Sequence, residues 1–230
     1  MLYKAKTLKG FLLYSLDGDI GKVEEFYFDD YSWTIRYMVV NTGNWLTVKQ
    51  VLIAPNTLVD VNKEEEYISI NLTKKQIEDS PPLNQDKPVS KQFEEDSYYS
   101  GPFPTIVPDP LAWKKSATDH KAWDHHLRST FDVTGHDIQA TDGEIGHVDD
   151  FIIDDKSWEI RYLVIDTQNW WPGKKVLISP QWVERVSWKE SKVFVNLLRE
   201  TIKQSPEYTE ESRLTQTYET GLYQYYNHQR

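Results

Sequence analysis

Asp17-Gly18-Asp19-Ile20-Gly21-Lys22-Val23 returns 125 residues later as Asp142-Gly143-Glu144-Ile145-Gly146-His147-Val148. Working outward in the same register, Ser32-Trp33-Thr34-Ile35-Arg36-Tyr37 meets Ser157-Trp158-Glu159-Ile160-Arg161-Tyr162. Asn44-Trp45 meets Asn169-Trp170, and Val51-Leu52-Ile53-Ala54-Pro55 meets Val176-Leu177-Ile178-Ser179-Pro180. From 17/142 to 81/206 the ungapped alignment holds 29 identities in 65 pairs. Self-similarity of that density means a duplicated domain, so the fold question reduces to one unit.

That unit reads as short strands cut by turns. Leu12 to Ser15 is a first strand, Asp17-Gly18 a tight hairpin turn, and Gly21 to Asp29 a second strand. Val23, Phe26 and Phe28 cannot share a face under strict alternation, so a bulge is expected near Glu24-Glu25. Trp33, Ile35, Tyr37 and Val39 then alternate with Thr34 and Arg36 as a long, half-buried third strand. Val51 to Ile53, Leu58 to Val61 and Tyr67 to Leu72 complete six. Thr73 is placed to cap a short helix that Ser80-Pro81 stops. Six strands without a crossover helix predict a small antiparallel barrel or sandwich, and closing the sheet would remove exposed strand edges.

The spacing Asp-Gly-x-Ile-Gly-x-Val, Phe-x-x-Asp-Asp, Trp-x-Ile-Arg-Tyr-x-Val, Val-Leu-Ile-x-Pro falls on residues 17–55 and again on 142–180. It resembles the PRC-barrel family. That barrel forms the cytoplasmic part of the photosynthetic reaction-centre H subunit and the C-terminal domain of a bacterial ribosome-maturation factor. The resemblance implies two six-stranded β-barrels, mainly β, each followed by a short helix and an extended tail. The tandem arrangement is similar to uncharacterised bacterial two-barrel proteins. It implies no shared catalytic residues, and in better-known members the barrel contacts another protein or a ribonucleoprotein. The expected division is a first barrel at 1–81, a tail and proline-rich linker at 82–128, a second barrel at 129–206, and a tyrosine-rich tail at 207–230.

Composition narrows the function. The chain has 230 residues, with 26 basic and 36 acidic side chains for a net charge of −10. That balance argues against a broad nucleic-acid footprint and against docking on anionic lipid. There is no cysteine, which excludes disulfides, thiolate metal sites and a cysteine nucleophile. No stretch approaches the roughly 20 apolar residues of a membrane helix. Lys4, Lys6 and Lys9 before Phe11-Leu12-Leu13-Tyr14 imitate a signal peptide, but the apolar run stops at Asp17. The expectation is a soluble cytoplasmic protein without membrane insertion.

Candidate sites each have a structural and a functional reading. Asp17-Gly18-Asp19 with Asp29-Asp30 gathers carboxylates but lacks the oxygen spacing of a calcium loop, so turn structure is expected. Arg36 and Arg161, mid-strand, either present a fork to a ligand anion or pair with Asp29 or Glu25, and Asp154 or Asp150. His120, His125, His126, His136 and His147 are not spaced as a metal site, and no cofactor is expected. No phosphate loop or nucleophile motif occurs, so the chain reads as non-enzymatic. Trp45, Trp170 and Trp171, just after strand three, either cap the barrels or anchor a partner. Tyr218, Tyr223, Tyr225 and Tyr226 fold back on a barrel, bind a second copy, or bind another protein. The reading is a protein-interaction module, with another protein or a homodimer as partner and two barrels packed about a pseudo-twofold axis. The alternative is a small-ligand or metal-binding sensor with its site between the barrels, near Arg36 and Arg161.

Overall fold

The computed structural model describes residues 1–43, 46, 50–79, 126–167, 173–209, 212 and 214–227. Two sheets of the same topology carry the fold. In the first, β2 (Leu12–Ser15), β3 (Gly18–Asp29), β4 (Thr34–Asn41), β5 (Gln50–Ile53), β6 (Leu58–Asn62) and β7 (Tyr67–Ile70) run in the order β5-β4-β3-β2-β7-β6. In the second, β9 (Asp137–Ala140), β10 (Gly143–Asp154), β11 (Ile160–Asp166), β12 (Lys175–Ile178), β13 (Val183–Ser187) and β14 (Lys192–Val195) repeat it. The two end strands of each path are consecutive in the chain. A single 3-10 turn, Pro55–Thr57 or Pro180–Trp182, separates them. The sheet must therefore curl until its ends meet at a proline corner.

The local chemistry is the one the residues dictate. The register of β3 on β4 shifts between Val23 and Glu25, leaving Glu24 as the extra residue, and Val23, Phe26 and Phe28 all reach the core. Thr73 caps the helix Lys74–Glu78 in a full capping box with Gln76. Gly21 and Gly146 hold φ of +145° and +125°, where a Cβ would stand 1.9 and 2.1 Å from the carbonyl oxygens of Asn41 and Asp166. Only glycine lets β3 and β10 pass the ends of their neighbours so closely. One feature departs from the expected antiparallel barrel: β2 pairs with β7, and β9 with β14, in parallel. The β3-to-β7 excursion brings the chain back running the same way as β2, so that pair closes with slanted bonds.

Each sheet also takes a seventh strand from the other unit. β1 (Leu2–Lys4) pairs antiparallel with Ile152–Asp154 of β10, and β8 (Leu127–Ser129) with Tyr27–Asp29 of β3. The cause lies in strand length. β3 has twelve residues, but β2 pairs with it only as far as Lys22, so its second half would be a bare edge. The exchanged arm fills it. Leu127 buries Tyr27 and Val39 from that side, in a small cluster separate from the main core.

At the seam the backbone crosses directly. Ile35 N–H donates to Trp158 O at 2.8 Å, and Ile160 N–H to Trp33 O at 2.7 Å. Trp33 and Trp158 both adopt left-handed φ, +54° and +56°, a conformation that costs a large residue about 1–3 kcal/mol. Each is held there by the reciprocal bond and by stacking: Phe28 lies 5.4 Å from Trp33 and 5.5 Å from Phe151, and Phe26 6.4 Å from Trp158. One apolar core runs through both units. The expected pseudo-twofold packing is present, and it is an exchange of strands as well as a contact of surfaces. Among the described residues no helix is long and apolar enough to cross a membrane.

Candidate functional site at the seam

The turn Asp29–Trp33 brings side chains to the seam for a local reason. Asp29 Oδ1 accepts from the N–H groups of Tyr31 and Ser32 at 2.9 and 2.8 Å, closing a tight loop ahead of the left-handed Trp33. Burial works against the Asp29 charge, but those donors hold its carboxyl below the ordinary range. Asp30 then reaches across to the second unit, binding Arg128 Nη2 at 2.6 Å and His126 Nδ1 at 2.8 Å. In the mirrored position Asp155 holds the ammonium of Met1. Tyr31 is left 85% exposed at the tip.

Two polar clefts flank this crossing. One, about 470 Å³, is lined by Tyr31, Trp33, Glu159, Arg161, Glu184 and Tyr223. The other, about 670 Å³, is lined by Arg36, Tyr37, Pro55, Asp155, Ser157 and Trp158. Both arginines are therefore at inter-unit clefts. Arg36 Nη1 lies 3.4 Å from Asp29 Oδ2, one of the two pairings the sequence offered. Arg161 turns elsewhere: its Nη2 is 3.5 Å from Glu219 Oε1, on the C-terminal helix. The same oxygen accepts from the Tyr162 hydroxyl at 2.9 Å, and burial together with this bond raises the phenol far above its usual pKa.

A third cleft, about 480 Å³, opens where the first unit's arm meets β10. Asp150 lies in its wall, 2% exposed. Its Oδ1 accepts from Phe151 N–H at 2.8 Å and from Lys6 N–H at 3.1 Å, tying the arm of one unit to the bulge of the other. Oδ2 is buried, and no described donor reaches it. Burial outweighs the two bonds and pushes the carboxyl up to about 6. His136, also buried, is pushed down by desolvation and sits 5.7 Å from the Trp188 ring.

Tyr218 and Tyr223 lie on the helix Gln216–Asn227, which folds back on the second sheet, and both pack against its core. Tyr226 is buried, donates to Leu177 O at 3.1 Å and lies 4.4 Å from Trp182; Tyr225 donates to Thr201 O at 2.7 Å. Trp45, Trp170, Trp171, His120 and His125 lie outside the described residues. The acidic turns are structural: Asp17 accepts from Lys74 N–H at 2.8 Å, and Asp29 and Asp30 are engaged as above. Among the described residues no three His, Asp or Glu side chains converge as a metal site. The sequence offers Asp150 only as an ion-pair partner for Arg161, and the structure buries it away from that side chain. The one signal of that burial was a second carboxylate within the bulge that had to bury Val148 and Phe151.

Residues 129–202 match the family model of the PRC-barrel domain. The second unit is such a domain, and the first repeats its strand order and pairings. No curated protein matches the chain.

Proposed function

With a PRC-barrel domain at residues 129–202 as the starting point, we propose that the chain is a non-catalytic interaction module that binds another protein at the seam. The observation that carries this reading is Tyr31, an aromatic ring 85% exposed on a turn pinned from both sides, beside a cleft with Arg161 and Tyr223 in its wall. Rigid aromatic rings with arginine nearby are the groups that dominate protein interfaces, because they bury much area and lose little entropy. The far halves of β3 and β10, which would otherwise be open strand edges, are covered within the chain by β8 and β1. An external partner therefore meets the outer clefts, not the β-strand edges.

The test is affinity capture with the tagged chain, beside a Tyr31→Ala variant whose fold is checked by circular dichroism and a Trp45/Trp170/Trp171 alanine variant. A protein retained by the wild type and released by Tyr31→Ala supports the reading and locates the contact. Loss only in the tryptophan variant moves the contact to that loop. Equal retention by all three refutes the assignment to both surfaces. One observation favours the rival reading of a small-ligand site between the units, and it is the third cleft, not those at Arg36 and Arg161.

A further inference from the structure

We infer that the cleft at Asp150 is a binding site for a small organic ammonium ion carrying an apolar, preferably aromatic, body. This stands independently of any protein partner. Asp150 is 2% exposed, and its Oδ2 has no hydrogen-bond donor among the described residues. A buried carboxylate oxygen left unsatisfied is costly, and a charged N–H donor is the partner that relieves it most.

The surrounding groups choose the sign and shape of the ligand. Glu24, Glu25, Asp132 and Asp150 line the cleft against Lys6 and Lys9, an excess of two negative charges. Neither ammonium is on Asp150: Lys6 Nζ binds Asp149 at 2.7 Å, and Lys9 Nζ sits 5.3 Å from the centroid of Phe131. Phe131, 65% exposed, and Trp188 supply apolar walls. The Lys9 contact is informative, because the ring that would cover a ligand already holds a cation against its face. An entering ammonium takes the place of Lys9 on Phe131 and pairs in the cleft wall with Asp150, whose buried Oδ2 turns out to meet it. The volume, about 480 Å³, lies within the range of small-molecule sites. The cleft exists only in the assembled pair, since Ala5, Lys6 and Lys9 come from the first unit's arm and Asp150 and Trp188 from the second unit.

The test is isothermal titration calorimetry of the full chain near neutral pH with 2-phenylethylammonium chloride. The neutral 2-phenylethanol and the anionic 3-phenylpropionate serve as matched probes. The expected result is saturable one-to-one binding of the ammonium, at least about tenfold tighter than either analogue. Asp150→Asn, which keeps Oδ1 as an acceptor, and Phe131→Ala, at an exposed position, should each weaken it about tenfold or more while remaining folded by circular dichroism. Lys9→Met should tighten it several-fold by removing the internal competitor. No saturation by about 10 mM, equal binding of the alcohol, or unchanged affinity in Asp150→Asn overturns the assignment.

Discussion

Replacing Asp150 by Asn should stabilise the protein at neutral pH and abolish part of its pH dependence. The folded-state carboxyl titrates at about 6, against 3.8 when unperturbed, because burial outweighs two backbone donors, the nearby Lys6 charge favouring ionisation and the Asp149 charge opposing it. The folded state therefore holds the Asp150 proton more tightly than the unfolded chain. Stability is greatest with the group protonated, falls as pH rises from about 4 to about 6, and is level above that. The difference of 6 − 3.8 = 2.2 corresponds to at most about 3 kcal/mol at about 1.36 kcal/mol per pKa unit. Asn keeps the acceptor for Phe151 and Lys6 but places a buried NH2 where Oδ2 was, which costs about 1–3 kcal/mol if unpaired. The net gain near neutral pH is then about 1 kcal/mol, turning to a loss near pH 4. Urea unfolding followed by tryptophan fluorescence, at four pH values from about 4 to about 7.5, reads the difference directly. Wild-type and Asp150→Asn curves that stay parallel across that range would refute the reasoning, whatever their offset.

Trp33→Ala and Trp158→Ala should each cost about 3–5 kcal/mol in denaturant unfolding, since both rings are buried in the shared core. A loss confined to one unit would argue against a continuous core. Gly146→Ala sets a Cβ 2.1 Å from Asp166 O at a φ of +125° and should cost at least about 2 kcal/mol; an unfolding midpoint unchanged from wild type would show that β10 can move aside. Deleting Met1–Lys4 bares the far half of β10, so hydrogen exchange at Ile152–Asp154 should speed up while β3 keeps its protection from β8. Equal protection with and without the arm would mean that β10 needs no such cover.

Where a rule acts locally, the sequence announced the structure. Val23, Phe26 and Phe28 could not be buried together without a bulge, and Glu24 is that bulge. Thr73 with Gln76 three residues on is a capping signature that needs no tertiary context. The arms had no such mark. Three residues such as Leu2–Lys4 or Leu127–Ser129 are too few for a period, and at those positions the copies share little beyond Leu2 and Leu127. The left-handed tryptophans were also hidden, since strand alternation places Trp33 correctly inward yet says nothing about its φ. Glycine would have announced that conformation; a bulky ring conceals it because the opposing unit, not the residue, imposes it. The partner of Arg161 was misplaced for the same reason, as Glu219 arrives on a helix 58 residues away.

Duplication explains why the two matching carboxylates of the third cleft, Glu25 and Asp150, are held differently. At one crossing Phe26 N–H finds an acceptor in the second unit's arm, Thr130 Oγ1 at 3.1 Å. The corresponding donor at the other crossing is Phe151 N–H, and the arm residue facing it is Ala5, which has no side-chain acceptor. A buried N–H must be paired, so Asp150 folds inward to accept it and takes Lys6 N–H as well. Its counterpart Glu25, one methylene longer and relieved of that duty by Thr130, instead accepts from the Ser129 hydroxyl. In a symmetric homodimer Thr130 and Ala5 would be one residue and both carboxylates would have one fate. Joining the two copies in one chain let the arms diverge, and at Ala5 and Thr130 the divergence removes one hydroxyl acceptor. That difference buries one carboxylate, leaves one of its oxygens without a partner among the described residues, and leaves the other copy bonded to Ser129.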